Sequence, residues 1–127
     1  MTRHELIEYC MTYPGAYEDY PFGELQRTAD VWTVMRHSDG KKGFAFIFER
    51  NGLCVNLKCE PMTADFLRRS YMGITAAYHM NKRHWNTVKI DSDVPRELLE
   101  ELIDASYKLT RRAHKARESP RASSADN

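Results

Sequence analysis

Acidic residues are missing from one long stretch of this chain. Between Phe66 and Ile90 there is no aspartate or glutamate, although the window holds Arg68, Arg69, Lys82, Arg83 and Lys89 together with His79 and His84. Cysteine is scarce as well. Cys10, Cys54 and Cys59 form an odd set without a CxxC spacing, and Cys54 and Cys59, five apart, point to opposite faces of a regular strand. That argues against a zinc clasp, and in a reduced compartment the three read as small core or surface residues. No apolar run approaches the ~20 residues needed to span a bilayer. The opening Met1-Thr2-Arg3-His4-Glu5 has no signal-peptide core, so a cytoplasmic protein with no membrane partner is expected.

Catalytic signatures are absent too. There is no GxSxG, no P-loop and no GxGxxG, so acyl transfer and nucleotide chemistry lack their usual supports. Glu100 and Glu101 are adjacent on a helix and diverge, which makes them a solvated face rather than a catalytic pair. His79 and His84 are five apart, neither the i,i+4 pair of a helical zinc site nor the i,i+2 pair of a strand. The expectation is a protein that is not an enzyme, with no catalytic residue, cofactor or metal.

What is present describes one globular domain: 127 residues, 42% apolar and 29% charged. The domain is expected over residues 1–115, followed by a flexible basic and polar tail over 116–127. The net charge of +1 conceals an asymmetry, because residues 1–107 carry 13 Lys and Arg against 16 Asp and Glu, and residues 108–127 carry 6 against 2. An acidic body with a basic tail is not the uniformly basic composition of a dedicated DNA-binding domain.

Thr2 and Glu5 form a capping box that opens a helix carrying Leu6, Ile7, Cys10 and Met11 on one face, stopped by Pro14-Gly15. Residues 16–30 read as turns. Val31–His37, Phe44–Glu49 and Leu53–Cys59 follow as an antiparallel meander, with Asn51-Gly52 as a type I′ hairpin turn. In the second strand Phe44, Phe46 and Phe48 share one face. Pro61 begins a helix through about Met72 with Phe66, Leu67, Ser70 and Tyr71 inward. Residues 74–84 suggest a short extended piece and then a single helical turn, Trp85–Asp91 a further strand, and Pro95 the start of a long amphipathic helix. The order α-β-β-β-α-β-α is α+β, an antiparallel sheet with the helices packed on one face in two layers.

The segment Tyr78–Val88 concentrates the candidate binding residues. Lys82 and Arg83 would position phosphates, and Lys89 adds a cation. Asn81, His84, Trp85 and Asn86 would touch bases or sugar, since amides bond base edges and an indole stacks on them. The ordinary alternative is a solvated turn before a strand, with the tryptophan in the core. Arg111, Arg112, Lys115, Arg117 and Arg121 would add sequence-independent attraction.

Met80-Asn81-Lys82-Arg83-His84-Trp85-Asn86-Thr87-Val88, followed by Leu102-Ile103-Asp104-Ala105-Ser106-Tyr107, resembles the MmcQ/YjbR family of small bacterial proteins. Pro21-Phe22-Gly23, Lys42-Gly43-Phe44-Ala45 and Asn56-Leu57-Lys58 match that family's pattern in order and spacing. The resemblance covers residues 2–110, and Asn-Lys-x-His-Trp is its most specific block. It implies a compact α+β fold of the CyaY-like or secretion-chaperone-like type, and it implies DNA binding, with no catalytic residues to carry over. Two functions are therefore expected to compete: weak, mainly electrostatic DNA binding through residues 79–89, and a protein-interaction module without a nucleic-acid role. A monomer or weak dimer fits either. A pocket gathering His79, His84, Asn56 and Tyr78 would instead favour an enzyme.

Overall fold

The structure, a computed structural model, describes residues 1–21 and 31–112. Phe22 and Gly23, and the expected tail, lie outside the described residues. Its elements run α1 (Arg3–Cys10), β1 (Ala16–Asp19), β2 (Thr33–His37), β3 (Gly43–Glu49), β4 (Leu53–Lys58), α2 (Pro61–Ser70), β5 (Ile74–Ala76), β6 (Trp85–Lys89) and α3 (Arg96–Thr110). The strands make one antiparallel sheet in the order β1-β2-β3-β4-β6-β5. All three helices contribute buried side chains to the core on one face of it, so the fold is the expected two-layer α+β.

The expected order of elements gains two strands, one at each edge. β1 falls in the stretch read as turns, because its four residues alternate too briefly for a period to show; pairing with β2 from Ala16↔His37 to Asp19↔Val34 makes it a strand. β5 is three residues long and pairs with β6. Elsewhere local chemistry governs. Thr2 Oγ1 accepts from Glu5 N at 3.1 Å, and Glu5 Oε1 accepts from Thr2 N at 2.8 Å, the reciprocal capping box at α1. Asn51 and Gly52 hold φ of 54° and 117°, as a type I′ turn requires.

The meander departs from simple alternation at one place. Met35 pairs with Ala45, but Arg36 pairs with Gly43, so Phe44 is an extra residue on β3, a β-bulge. The bulge rotates Phe44 into the helix layer, where its ring meets Tyr13, Tyr107 and His37 at 5.9, 5.2 and 5.2 Å. Phe46 and Phe48 stay on the other face, so the three phenylalanines do not share one. Beneath the Phe46 ring lies Gly43, where a Cβ would come within 2.6 Å of that ring and 2.8 Å of Val34.

The core between sheet and helices contains Leu6, Ile7 and Cys10 of α1, Ala64 and Leu67 of α2, and Leu99, Ile103 and Tyr107 of α3, against Met35, Ile47, Val55, Leu57 and Val88. Ser106 Oγ, fully buried, donates to Phe44 O at 2.7 Å and accepts from Lys58 N at 2.8 Å, which fastens α3 to β3 and β4 without leaving a polar group unpaired. On α2, Leu67 is buried but Phe66 is 60% exposed, which reverses the inward placement expected for Phe66. No helix among the described residues is long and apolar enough to cross a membrane.

Candidate nucleic-acid interface

The sheet face turned away from the helices is itself largely covered by side chains. Alternation along the strands puts Val34 and Arg36, Phe46 and Phe48, Cys54, Asn56 and Lys58, and Trp85, Thr87 and Lys89 on this back face. Trp32 stacks on Phe48 with ring centroids 4.3 Å apart, and Phe46 meets Trp85 edge-on at 5.4 Å. The segment after β5 folds over these rings. Tyr78 stacks on Phe48 at 5.5 Å and lies parallel to Trp32 at 6.4 Å, while the Arg50 guanidinium sits 4.1 Å above the Tyr78 ring.

A buried polar pair fastens that segment. Asn56, fully buried, donates through Nδ2 to Tyr78 O at 2.8 Å and accepts from Thr87 Oγ1; Tyr78 N donates to Thr87 Oγ1 at 2.9 Å. Every polar atom of the pair thus has work to do inside the sheet, which is why an amide is tolerated there.

The residues singled out by the sequence do not all meet. Asn81 builds the turn before β6: its Oδ1 accepts from Arg83 N at 2.9 Å and its carbonyl from Trp85 N at 3.0 Å. Lys82 bends back, its Nζ donating to Ala77 O at 2.8 Å. The Arg83 side chain is exposed and makes no bond with the described residues. His84 is half-buried, and its carbonyl accepts from Cys59 N at 2.8 Å. Trp85 and Lys89 lie on the back face. Asn86 lies on the opposite face, 3% exposed, where Oδ1 accepts from Arg68 Nε at 2.6 Å and Nδ2 donates to Ala64 O at 3.3 Å. It is therefore enclosed under α2 and out of reach of a ligand on the back face. Arg68 also donates to the carbonyls of Lys82 and Trp85, so one guanidinium from α2 holds the whole turn in place.

Charge divides between the two sides of the sheet. α1 and α3 carry Glu5, Glu8, Glu97, Glu100, Glu101 and Asp104, several in i,i+4 pairs such as Arg96–Glu100 and Lys108–Asp104, each 3.0 Å apart, while α2 carries Asp65 against Arg68 and Arg69. The back face carries Arg36, Arg50, Lys58 and Lys89, and the one strand carboxylate that alternation places there is Asp19, engaged with Arg36 at 2.7 Å. Arg50, Lys58, Arg83 and Lys89 have no carboxylate partner among the described residues. Sequence reasoning missed Arg36, Arg50, Trp32 and Phe46 as members of this surface. The signal was available in the unbroken apolar run Phe44–Phe48, which marks a strand covered on both faces.

Two clefts open on the back face on either side of Tyr78. One, of about 430 Å³, is lined by Trp32, Val34, Arg36, Phe46, His79 and Met80, with Pro21 at its edge. The other, of about 280 Å³, includes Arg50, Tyr78 and Lys89. His79 belongs to the first and Tyr78 to the second, while Asn56 is buried beneath, so the four residues that would have marked an enzyme do not gather in one pocket. Burial pushes the Cys10 thiol up to about 12 and raises Cys54 and Cys59 also, which leaves all three poor nucleophiles. Among the described residues no three His, Cys, Asp or Glu side chains come together as a metal site.

An antiparallel sheet with a helical core on one side and a basic, aromatic surface on the other defines a small two-layer α+β protein. The chain belongs to the YjbR family, whose model matches residues 11–109. It is 34% identical over 108 residues to "Uncharacterized protein YjbR" of Escherichia coli K12, covering 84% of this chain and 85% of that one. "Uncharacterized protein YyaQ" of Bacillus subtilis is 30% identical over 122 residues, covering 87% of this chain and 99% of its own. Among solved structures, a crystal structure of a Pseudomonas syringae protein superposes with a TM-score of 0.75 at 31% identity, over 87% of this chain and all of that one. A crystal structure of a Deinococcus radiodurans protein gives 0.73 at 32% identity, over 85% and 77%.

Proposed function

We propose that this protein binds DNA weakly through the back face of its sheet, chiefly by electrostatic attraction. The observation that carries this reading is the set of cations without carboxylate partners among the described residues: Arg50, Lys58 and Lys89 around half-buried aromatic rings on the face opposite the carboxylates of α1 and α3, with Arg83 exposed in the turn before β6. Lysine and arginine neutralise phosphates and release their counterions, and the rings offer stacking surfaces that every base can use. Lys82 and Asn81 support the turn, and Asn86 belongs to the core, so the interface is centred on the strands rather than on residues 79–89 alone.

Fluorescence anisotropy with a labelled oligonucleotide tests the reading. The affinity should fall with salt at a slope of roughly −0.7 to −0.9 per phosphate neutralised. Arg50→Glu with Lys58→Glu and Lys89→Glu should abolish binding, while Lys108→Glu on the helix side should leave it unchanged. Affinity indifferent to salt, or untouched by the triple reversal, overturns the proposal.

A protein partner is the second reading, supported by Met62, Phe66 and Met72, which are 87%, 60% and 92% exposed on and just beyond α2. It requires a complex that Phe66→Glu dissolves and the triple reversal leaves intact.

A further inference from the structure

We infer that the cleft between Trp32 and Phe46 receives one unpaired base, so that the protein prefers single-stranded nucleic acid over duplex. The inference rests on the nucleic-acid reading above and specifies what its back face recognises. Four observations carry it. The walls are largely apolar and aromatic, with Trp32 and Phe46 half-buried and Val34 and Met80 lining the cleft beside them, which suits a planar ring and offers little to an ion alone. Its volume, about 430 Å³, is in the range of small-molecule sites and admits a base with its sugar.

The third observation is polar. Arg36 is fixed at the cleft wall, with Nε donating to Asp19 Oδ2 at 2.7 Å and Nη1 to Lys41 O at 3.1 Å. Its Nη2 has no partner among the described residues, which leaves donors in a rigid plane for a base edge or a phosphate oxygen. The fourth is the position of the cleft inside the basic field. Arg50 stands over Tyr78 on the far side of the ring stack, so a strand whose base enters the cleft can run its phosphates toward Arg50 and Lys89. A base paired in a duplex cannot enter, because its ring faces are covered by its neighbours and its edge by its partner.

The test uses the full chain and does not depend on a variant folding. Methyl signals of Val34 and Met80 are followed by NMR during titration with oligo-dT, with oligo-rU and with a duplex of matched length. The expected result is that both single strands shift Val34 and Met80 and bind at least about tenfold more tightly than the duplex, as loss of stacking on one base would cost. Equal response to dT and rU shows that the sugar is not read; a response to one alone assigns the site to that nucleic acid. Trp32→Ala should then erase the single-strand preference while retaining salt-dependent duplex binding. Shifts confined to Arg50 and Lys89, with Val34 and Met80 silent, overturn the cleft and leave the DNA-binding proposal standing. No binding by any of the three overturns both.

Discussion

On the helix face of the sheet, Met35, Ile47, Val55, Leu57 and Val88 meet the apolar stripes of α1, α2 and α3, and the few polar groups present are bonded within the core. On the back face, Phe46, Phe48, Trp32, Tyr78 and Trp85 are covered by one another and by a single segment folded over them. The first arrangement buries aliphatic area continuously and tolerates no opening. The second leaves ring edges, two clefts and cations without carboxylate partners among the described residues in contact with solvent. A face closed by the helices and a face partly open to solvent thus share the same strands, since a period of two lets each strand serve both.

The contrast is sharpest at β3, where the bulge places Phe44 on one face and Phe46 on the other. Phe44→Ala should destabilise the fold by about 3–5 kcal/mol, as for other fully buried rings, and Phe46→Ala by clearly less while weakening the proposed nucleic-acid binding. Urea denaturation of the two variants checks this, and equal losses would show that the faces do not differ as described.

A smaller effect separates the turn from the sheet. Arg68→Ala removes the donor to Asn86 Oδ1 and to the carbonyls of Lys82 and Trp85. Leaving such groups unpaired costs about 1–3 kcal/mol. The amide signals of residues 81–85 should broaden or move, with those of β2 and β3 unchanged; a turn that keeps its spectrum without Arg68 is held by something else.

The smallest effect is one of pH. His37 lies buried on the helix face between Phe44 and Tyr107, its Nε2 2.8 Å from Thr110 Oγ1. Burial, reinforced by the nearby Arg111 cation, lowers its pKa. The folded ring therefore stays neutral at pH values where the unfolded one takes up a proton. Stability from this group is complete above the ordinary histidine value of about 6.5 and declines as pH falls below it. The thermal midpoint should drop between pH 7 and 5, and His37→Gln should flatten that part of the profile; an unchanged slope would remove His37 as its source.

The sequence disclosed the parts of this molecule that depend on local rules. The capping box at Thr2, the Asn51-Gly52 turn and the stripe of α3 require only residues close in the chain, and each lies where expected. The bulge at Phe44 was not legible, because it is a mismatch between two strands and exists only once they pair. The candidate site was half legible. An acid-free window drew attention to Lys82, Arg83 and Lys89, but a count of charges does not distinguish a cation bonded to a carbonyl, as Lys82 is, from one whose side chain has no partner among the described residues, as Lys89 is. Nor does it foresee that Asn86, one residue from Trp85, points through the sheet to the other side.

β4 lies inside the sheet between β3 and β6 and is covered both above and below, with Cys54, Val55, Asn56 and Leu57 all buried. Its amide protons can reach water only when both coverings give way, so they should be among the slowest to exchange with deuterium. The segment carrying Tyr78 is held to that strand, among the described residues, by the side chain of Asn56 alone, so its amides are expected to exchange faster than those of β4. Deuterium uptake would then read this sheet as a clock with two hands, a slow one for unfolding and a fast one for the opening of its back face.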